Sequence, residues 1–255
     1  MGVEMVRQDV SSTVLQMNNG RSIPVLGLGT WQSGRKTKRA VLSALNEGYR
    51  HIDAASVYGN EHYIGEALRQ EFQSGTLDRA DVFVTSKLWN TDHHRVEQAC
   101  RESLKRLGLQ YLDLYLIHWP MAYKSSSSEA QEKESGKEKE EQVSWQRKRY
   151  LKHKAEQDQK DSNYKSNQYN AQKNQKREDT YSYATNNYFP MNMDTGRLEH
   201  NNALDFVETW EAMERLVGLG LVKSIGLSNF NQTQIDDILN VANIPPQVLQ
   251  IEIHP

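Results

Sequence analysis

Four side chains able to handle protons stand at or just beyond the ends of short apolar runs. Asp53 closes Tyr49–Asp53, Lys87 closes Asp81–Lys87, His118 closes Leu112–His118, and Tyr58 follows Asp53 by five residues. Ser228 and Asn229 end a further run, Val222–Leu227, and Gln250 lies inside another, Val248–Ile253. Each run is rich in β-branched and aromatic residues, the pattern of a buried strand. In a parallel sheet all C-terminal strand ends lie on one face, so these side chains should meet there. Together they suit proton donation to a carbonyl. A free tyrosine, with a pKa of about 10, is a poor donor near neutrality, and an adjacent ammonium such as Lys87 should lower that value. Asp53 would hold Lys87 charged and in place, and His118 would offer a hydrogen bond to the substrate oxygen. Singly, a strand-end Asp is a turn former, a strand-end Lys a snorkelling charge, and a lone His a core residue. The grouping is what points to chemistry.

Other chemistries lack their residues. No acyl-transfer triad is spaced along the chain, and His93 and His94 are adjacent rather than one helical turn apart, so no metal site is expected. A glycine-rich dinucleotide fingerprint is also missing, which argues against a Rossmann site.

The elements that must position these groups alternate. Thr13–Met17 and Ser22–Val25 flank Asn18-Asn19-Gly20-Arg21, a hairpin signal. Val25–Gly29 reads as a buried strand and Arg35–Asn46 as a helix. Asp92 is expected to cap a helix that ends at Gly108. Helices are also expected over Leu204–Leu219 and Asn231–Val241. Strand–helix alternation predicts an α/β protein with a parallel sheet covered by helices.

The chain has 255 residues and a formal charge of −2, so no basic field calls for nucleic acid. One cysteine, Cys100, allows no internal disulfide and suits a reducing cytoplasm. No apolar run approaches a membrane span, and the first residues lack a signal-peptide core. From Lys124 to Tyr188 the character changes: 14 Lys/Arg and 11 Asp/Glu accompany only two branched aliphatics, Val143 and Leu151. Such a stretch cannot bury enough apolar surface to offset its ordering entropy. Residues 123–188 are therefore read as a low-complexity, disordered insertion between two parts of one body, 1–122 and 189–255. Arg147-Lys148-Arg149 is taken as a solvated charge run.

GYRHIDAASVYGNEHYIG and LVKSIGLSNF, with SKLWNTDHHRVEQACRESLKRLGLQYLDLYLIHWP and VLQIEIHP, resemble the aldo-keto reductases, in their aldose and aldehyde reductase branch. The resemblance implies a (β/α)8 TIM barrel with an N-terminal hairpin, NADPH/NADP+ as cofactor, and a small-molecule carbonyl as substrate. It implies Tyr58 as general acid, Lys87 and Asp53 as its tuning pair, and His118 as the group orienting the carbonyl. Gly29, Thr30, Trp31, Asp53, Ser228, Asn229 and Gln250 would bind cofactor, and Trp31, Tyr58, His118 and Trp119 the substrate. Gln32 stands where that branch usually has Lys, and Ala54 where it has Ser or Thr.

By that resemblance the chain reaches Pro255 after the sixth barrel strand, so a truncated barrel, association-prone at open edges and a monomer if complete, is expected. Weak NADPH binding and no turnover are expected of such a fragment. The rival reading is an inactive fragment or a redox-sensing binding module.

Overall fold

A computed structural model describes residues 13–125, 188–192 and 195–254. β1 (Val14–Gln16) and β2 (Ser22–Pro24) form the antiparallel hairpin expected from Asn-Gly, with Gly20 at φ +78°. The remaining strands are β3 (Leu28–Gly29), β4 (His51–Asp53), β5 (Phe83–Leu88), β6 (Leu114–Ile117), β7 (Ile225–Ser228) and β8 (Leu249–Gln250). They form one sheet in chain order, every pair parallel. Among the described residues five α-helices alternate with them: α1 (Thr37–Asn46), α2 (Glu61–Gln73), α3 (Val96–Leu107), α4 (Phe206–Gly218) and α5 (Gln232–Leu239).

Strand periodicity divides the sheet residues between two faces. Ile52, Val84, Tyr115, Ile117, Ile225 and Leu227 share the helix-facing core with Leu45, Ile64, Leu68, Leu107 and Trp210. Each fully buried large apolar side chain in that layer stabilises the fold by about 1.5–3 kcal/mol. The register places Asp53 beside Thr85, Lys87 beside Leu116, and Ser228 beside Gln250 on the other face. Asp53, Lys87 and Ser228 are therefore inward by alternation, whereas Tyr58 is placed by the turn that follows β4.

Helix ends follow local chemistry. Gly108, at φ +67°, closes α3, and Asn231 caps α5 in a reciprocal box with Gln234. Gly65 lets α2 approach α3: a Cβ there would lie 2.5 Å from the Leu107 carbonyl oxygen. Beneath this contact the buried Glu61 takes Ser86 Oγ at 2.7 Å and Arg106 Nε at 2.6 Å. Cys100 is fully buried on α3, and burial pushes its thiol up to about 12.

Some expectations shift. Val25 and Leu26 are exposed, because β3 is an edge strand and its regular part begins only at Leu28. On the other edge, β8 is regular only over Leu249–Gln250, and Ile251 and Ile253 are exposed. Asp92 does not cap α3. It sits inside a 3-10 turn, Asn90–Arg95, and pairs with Arg95 at 2.7 Å, while the helix starts at Val96.

Residues 126–187, most of the proposed insertion, lie outside the described residues. Its flanks are hydrogen-bonded to the body. Lys124 N donates to Glu199 O at 3.0 Å, and Glu199 N donates to Pro190 O at 2.8 Å. Antiparallel bridges join Tyr123 to His200 and Met191 to Leu198. The segment around Glu199 thus runs between the departing and returning chain. Two strand spacings, about 10 Å, separate those two points.

Candidate active site

Asp53 ends β4, and the chain then folds back over the strand ends in a 3-10 turn, Ser56–Tyr58. Gly59, at φ +67°, and the buried Asn60 complete that return. Asn60 Nδ2 fixes it by reaching Thr30 O at 2.8 Å, with Ser33 Oγ and Thr37 Oγ1 each at 3.2 Å. Tyr58 is thereby held above Lys87.

Lys87 is 1% exposed and donates to both Asp53 oxygens at 2.8 Å, to Ala54 O at 2.9 Å and to Tyr58 Oη at 3.3 Å. Burial lowers its pKa, and Asp53 opposes that shift by charge and hydrogen bonding. Gln250 Nε2 adds a bond to Asp53 Oδ1 at 3.3 Å. Tyr58 does not follow the sequence argument: burial, then the Asp53 carboxylate, pushes its pKa up. The Lys87 ammonium is nearly cancelled by Asp53 at 2.8 Å, so desolvation of the phenolate dominates.

His118 is buried, and its ring lies edge-on to Tyr58 at 5.8 Å and to Trp89 at 5.2 Å between centroids. Burial, then Lys87, lowers its pKa to about 3, so the imidazole is neutral at physiological pH. Its Nδ1 is buried without a hydrogen-bond partner among the described residues. Its backbone is held from two sides: His118 N donates to Leu88 O at 3.1 Å, and Asn229 Nδ2 donates to His118 O at 3.0 Å. Asn229 adopts φ +61°, a left-handed conformation that Asn tolerates better than most residues. Its amide donates to Gln250 O at 3.0 Å and its Nδ2 also reaches Ser228 Oγ at 3.1 Å.

A cavity of about 550 Å³ opens in front of these groups, bounded by Trp31, Tyr58, His118, Trp119, Ser228, Asn229 and Gln250. Asp53 and Lys87 are not on its wall. They stand behind Tyr58 and act on it. Trp31 is half exposed with its ring 4.8 Å from that of Tyr58. Gly29 sits next to Asp53 in register, and a Cβ there would meet open space. Thr30 is buried with its hydroxyl donating to Asp53 O at 2.8 Å, so it holds the loop instead of facing the cavity.

Of the residues singled out from the sequence, Trp31, Tyr58, His118, Trp119, Ser228, Asn229 and Gln250 line the cavity, Asp53 and Lys87 stand behind Tyr58, and Gly29 and Thr30 lie beside Asp53 off the wall. Sequence reasoning missed Trp89, Val57, Phe189, Ile251 and Glu252, which also line the cavity. Trp89 had a signal: it directly follows the buried strand carrying Lys87. Its Nε1 donates to Tyr188 O at 2.8 Å, and its ring meets Phe189 at 5.3 Å and Tyr123 at 6.1 Å. Both flanks of the 123–188 stretch therefore pack on one wall of the cavity. No group of three or more metal-ligating side chains occurs among the described residues.

A parallel βα sheet that gathers an ion-paired lysine, a tyrosine and a neutral histidine at its C-terminal strand ends defines a protein of the βα-barrel class, with its site where that class keeps it. Residues 25–255 match the model of the Aldo/keto reductase family, and the chain belongs to that family, whose fold is a (β/α)8 barrel. Six parallel strands of such a barrel are present among the described residues. The chain is 41% identical over 249 residues to mouse (Mus musculus) aldo-keto reductase family 1 member A1, and 38% identical over 250 residues to the human (Homo sapiens) protein. Each alignment covers 96% of this chain and 58% of the relative, so the chain spans less than two thirds of those relatives' length. Among solved structures, the aldose reductase of Schistosoma japonicum aligns with TM-score 0.68 and 41% identity, over 95% of this chain and 61% of that one. A Bombyx mori aldo-keto reductase, solved in complex with NADP, aligns with TM-score 0.64 and 30% identity, over 94% of this chain and 58% of its own.

Proposed function

We propose that the protein reduces the carbonyl group of a small molecule to an alcohol, with NADPH as hydride donor and Tyr58 as proton donor. The observation that carries this reading is the single lysine, Lys87, bonded to Asp53, Ala54 and Tyr58 at once behind an open cavity. Bound NADPH supplies the hydride.

The cavity suits that cofactor. Ser228, Asn229 and Gln250 line it with hydroxyl and carboxamide groups that match the donors and acceptors of a nicotinamide carboxamide. The space beside Gly29 leaves room for a ligand against the backbone. Trp31 and Trp119 supply apolar walls for the substrate, and Thr30 contributes through the loop it holds.

The raised pKa of Tyr58 keeps the phenol protonated in the resting site, as a proton donor requires. An alkoxide is far more basic than a phenolate, so transfer from Tyr58 Oη to the developing alkoxide still runs downhill. Lys87 then stabilises the phenolate left behind, and Asp53 keeps Lys87 charged despite its burial. Neutral His118 donates a hydrogen bond to the carbonyl oxygen and orients it without competing for the proton. The clamp from Asn229 to the His118 carbonyl fixes where that imidazole sits.

Tyr58→Phe tests the assignment. NADPH-dependent reduction of an aromatic aldehyde should fall by about 10²–10⁴-fold, the usual contribution of a positioned acid. NADPH binding, followed by tryptophan quenching, should stay within about twofold, because Ser228, Asn229 and Gln250 are untouched. Turnover within a few-fold of the parent would refute Tyr58 as the acid. A parent that neither binds NADPH nor reduces aldehydes would overturn this reading in favour of the inactive fragment expected of a truncated barrel.

A further inference from the structure

A second cavity, of about 560 Å³, opens at the other end of the strands, between the β1–β2 hairpin and the residues that lead into β4–β7. The six residues of β5 separate it from the Tyr58 site by roughly 20 Å. Its wall carries Arg21, Arg50 and Lys223. The two carboxylates beside them are already engaged. Asp113 takes Arg79 NH2 at 2.8 Å and Val84 N at 3.0 Å, and Asp81 Oδ2 takes the Asp78 amide at 2.7 Å.

The cations are not matched in the same way. Arg50 uses only NH1, on Leu45 O at 2.9 Å and Tyr49 O at 2.8 Å, which anchors the side chain and leaves its other guanidinium N–H groups without partners among the described residues. Lys223 stands 3.4 Å from Asp113, whose charge Arg79 already meets, and 3.8 Å over the Tyr111 ring. The Arg21 guanidinium and the Ser22 hydroxyl on the hairpin have no bonded partner among the described residues. Three cations and a hydroxyl thus converge on one cavity, anchored from three different elements.

We propose that this cavity binds an organic phosphate. One carboxylate is satisfied by a single guanidinium fork, whereas three cations and a hydroxyl suit the three oxygens of a tetrahedral dianion. The rest of the wall is apolar, with Val14, Pro24, Val82 and Phe83, and accommodates the organic body. The site is independent of the Tyr58 chemistry and lies at the opposite, N-terminal end of the sheet's strands.

The test is titration of phenyl phosphate into the isotopically labelled 255-residue chain, followed by amide NMR shifts. Saturating shifts are expected at Ser22, Phe83 and Lys223. Inorganic phosphate should bind about tenfold more weakly, and benzoate should not saturate. Lys223→Gln and Arg21→Gln should each weaken phenyl phosphate by about fivefold, and Arg101→Gln, on the exposed surface of α3, by less than about twofold. Arg50→Gln should abolish saturation. Because that change also frees two backbone carbonyls, Arg21→Gln, at an exposed hairpin position, serves as the variant without a folding role. Shifts confined to Ser228 and Asn229, or parent-like binding in both Lys223→Gln and Arg21→Gln, would overturn the site. Equal affinity for inorganic and phenyl phosphate would overturn the organic body.

Discussion

Lys87→Met removes the group on which the candidate site is built, and its cost can be worked from the contacts. The ammonium serves four acceptors, and it is 1% exposed while the Asp53 side chain is 16% exposed. Without it Asp53 keeps only the longer bond from Gln250, at 3.3 Å, as a side-chain partner. Removing one partner of a buried pair typically costs 3–5 kcal/mol, and the partial exposure of Asp53 places this case near the lower end, about 3 kcal/mol. For a body of this size that corresponds to a fall in Tm of about 6–12 °C. Lys87→Met/Asp53→Asn also removes the stranded charge, and it should recover to within about 1–2 kcal/mol of the parent. Thermal and urea unfolding followed by circular dichroism measure both. A Tm drop under about 2 °C for the single change would refute the reasoning. So would a double variant that falls by the sum of both single effects.

Acid should destabilise the protein through two buried histidines. Burial holds His118 and His93 at about 3 in the folded protein, so between pH 6.5 and 3 the unfolded chain binds protons that the folded one refuses. Stability is therefore fully present above pH 6.5 and is lost as pH falls, by about 1.4 kcal/mol per pH unit per histidine. His93→Asn should flatten the dependence, and a urea midpoint unchanged between pH 7.5 and 5 would refute it. Replacing residues 126–187 by a four-residue linker should leave cooperative unfolding intact, with shorter loop closure adding up to about 2 kcal/mol. Loss of that cooperative transition on excision would show that the segment packs against the body.

The candidate site was legible because its members stand at or just beyond the C-terminal ends of strands, and strand periodicity fixes the face to which Asp53, Lys87 and Ser228 turn. What was not legible depended on neighbours distant in sequence. Whether Val25 and Leu26 are covered depends on the strand beside β3, and no local pattern records an edge. Asp92 has the composition of a cap, but Arg95, three residues on, competes for its carboxylate and wins. The direction of the Tyr58 shift required knowing that Asp53 sits as close to Lys87 as it does. The roles of Trp89, Tyr123 and Tyr188 depended on where the chain re-enters the body after 187, which a composition change marks only approximately.

The buried cysteine makes the molecule convenient for spectroscopy. Cys100 is the single thiol, fully covered on α3 and pushed up to about 12, so at neutral pH it offers almost no thiolate to an alkylating reagent. A cysteine introduced at an exposed position outside both cavity walls, such as Met121 beyond the Tyr58 site or Leu15 on the hairpin, is then the only reactive handle among the described residues. Fluorophores or spin labels could be attached at either end of the strands without first removing the native residue, and each cavity could report its own ligand separately.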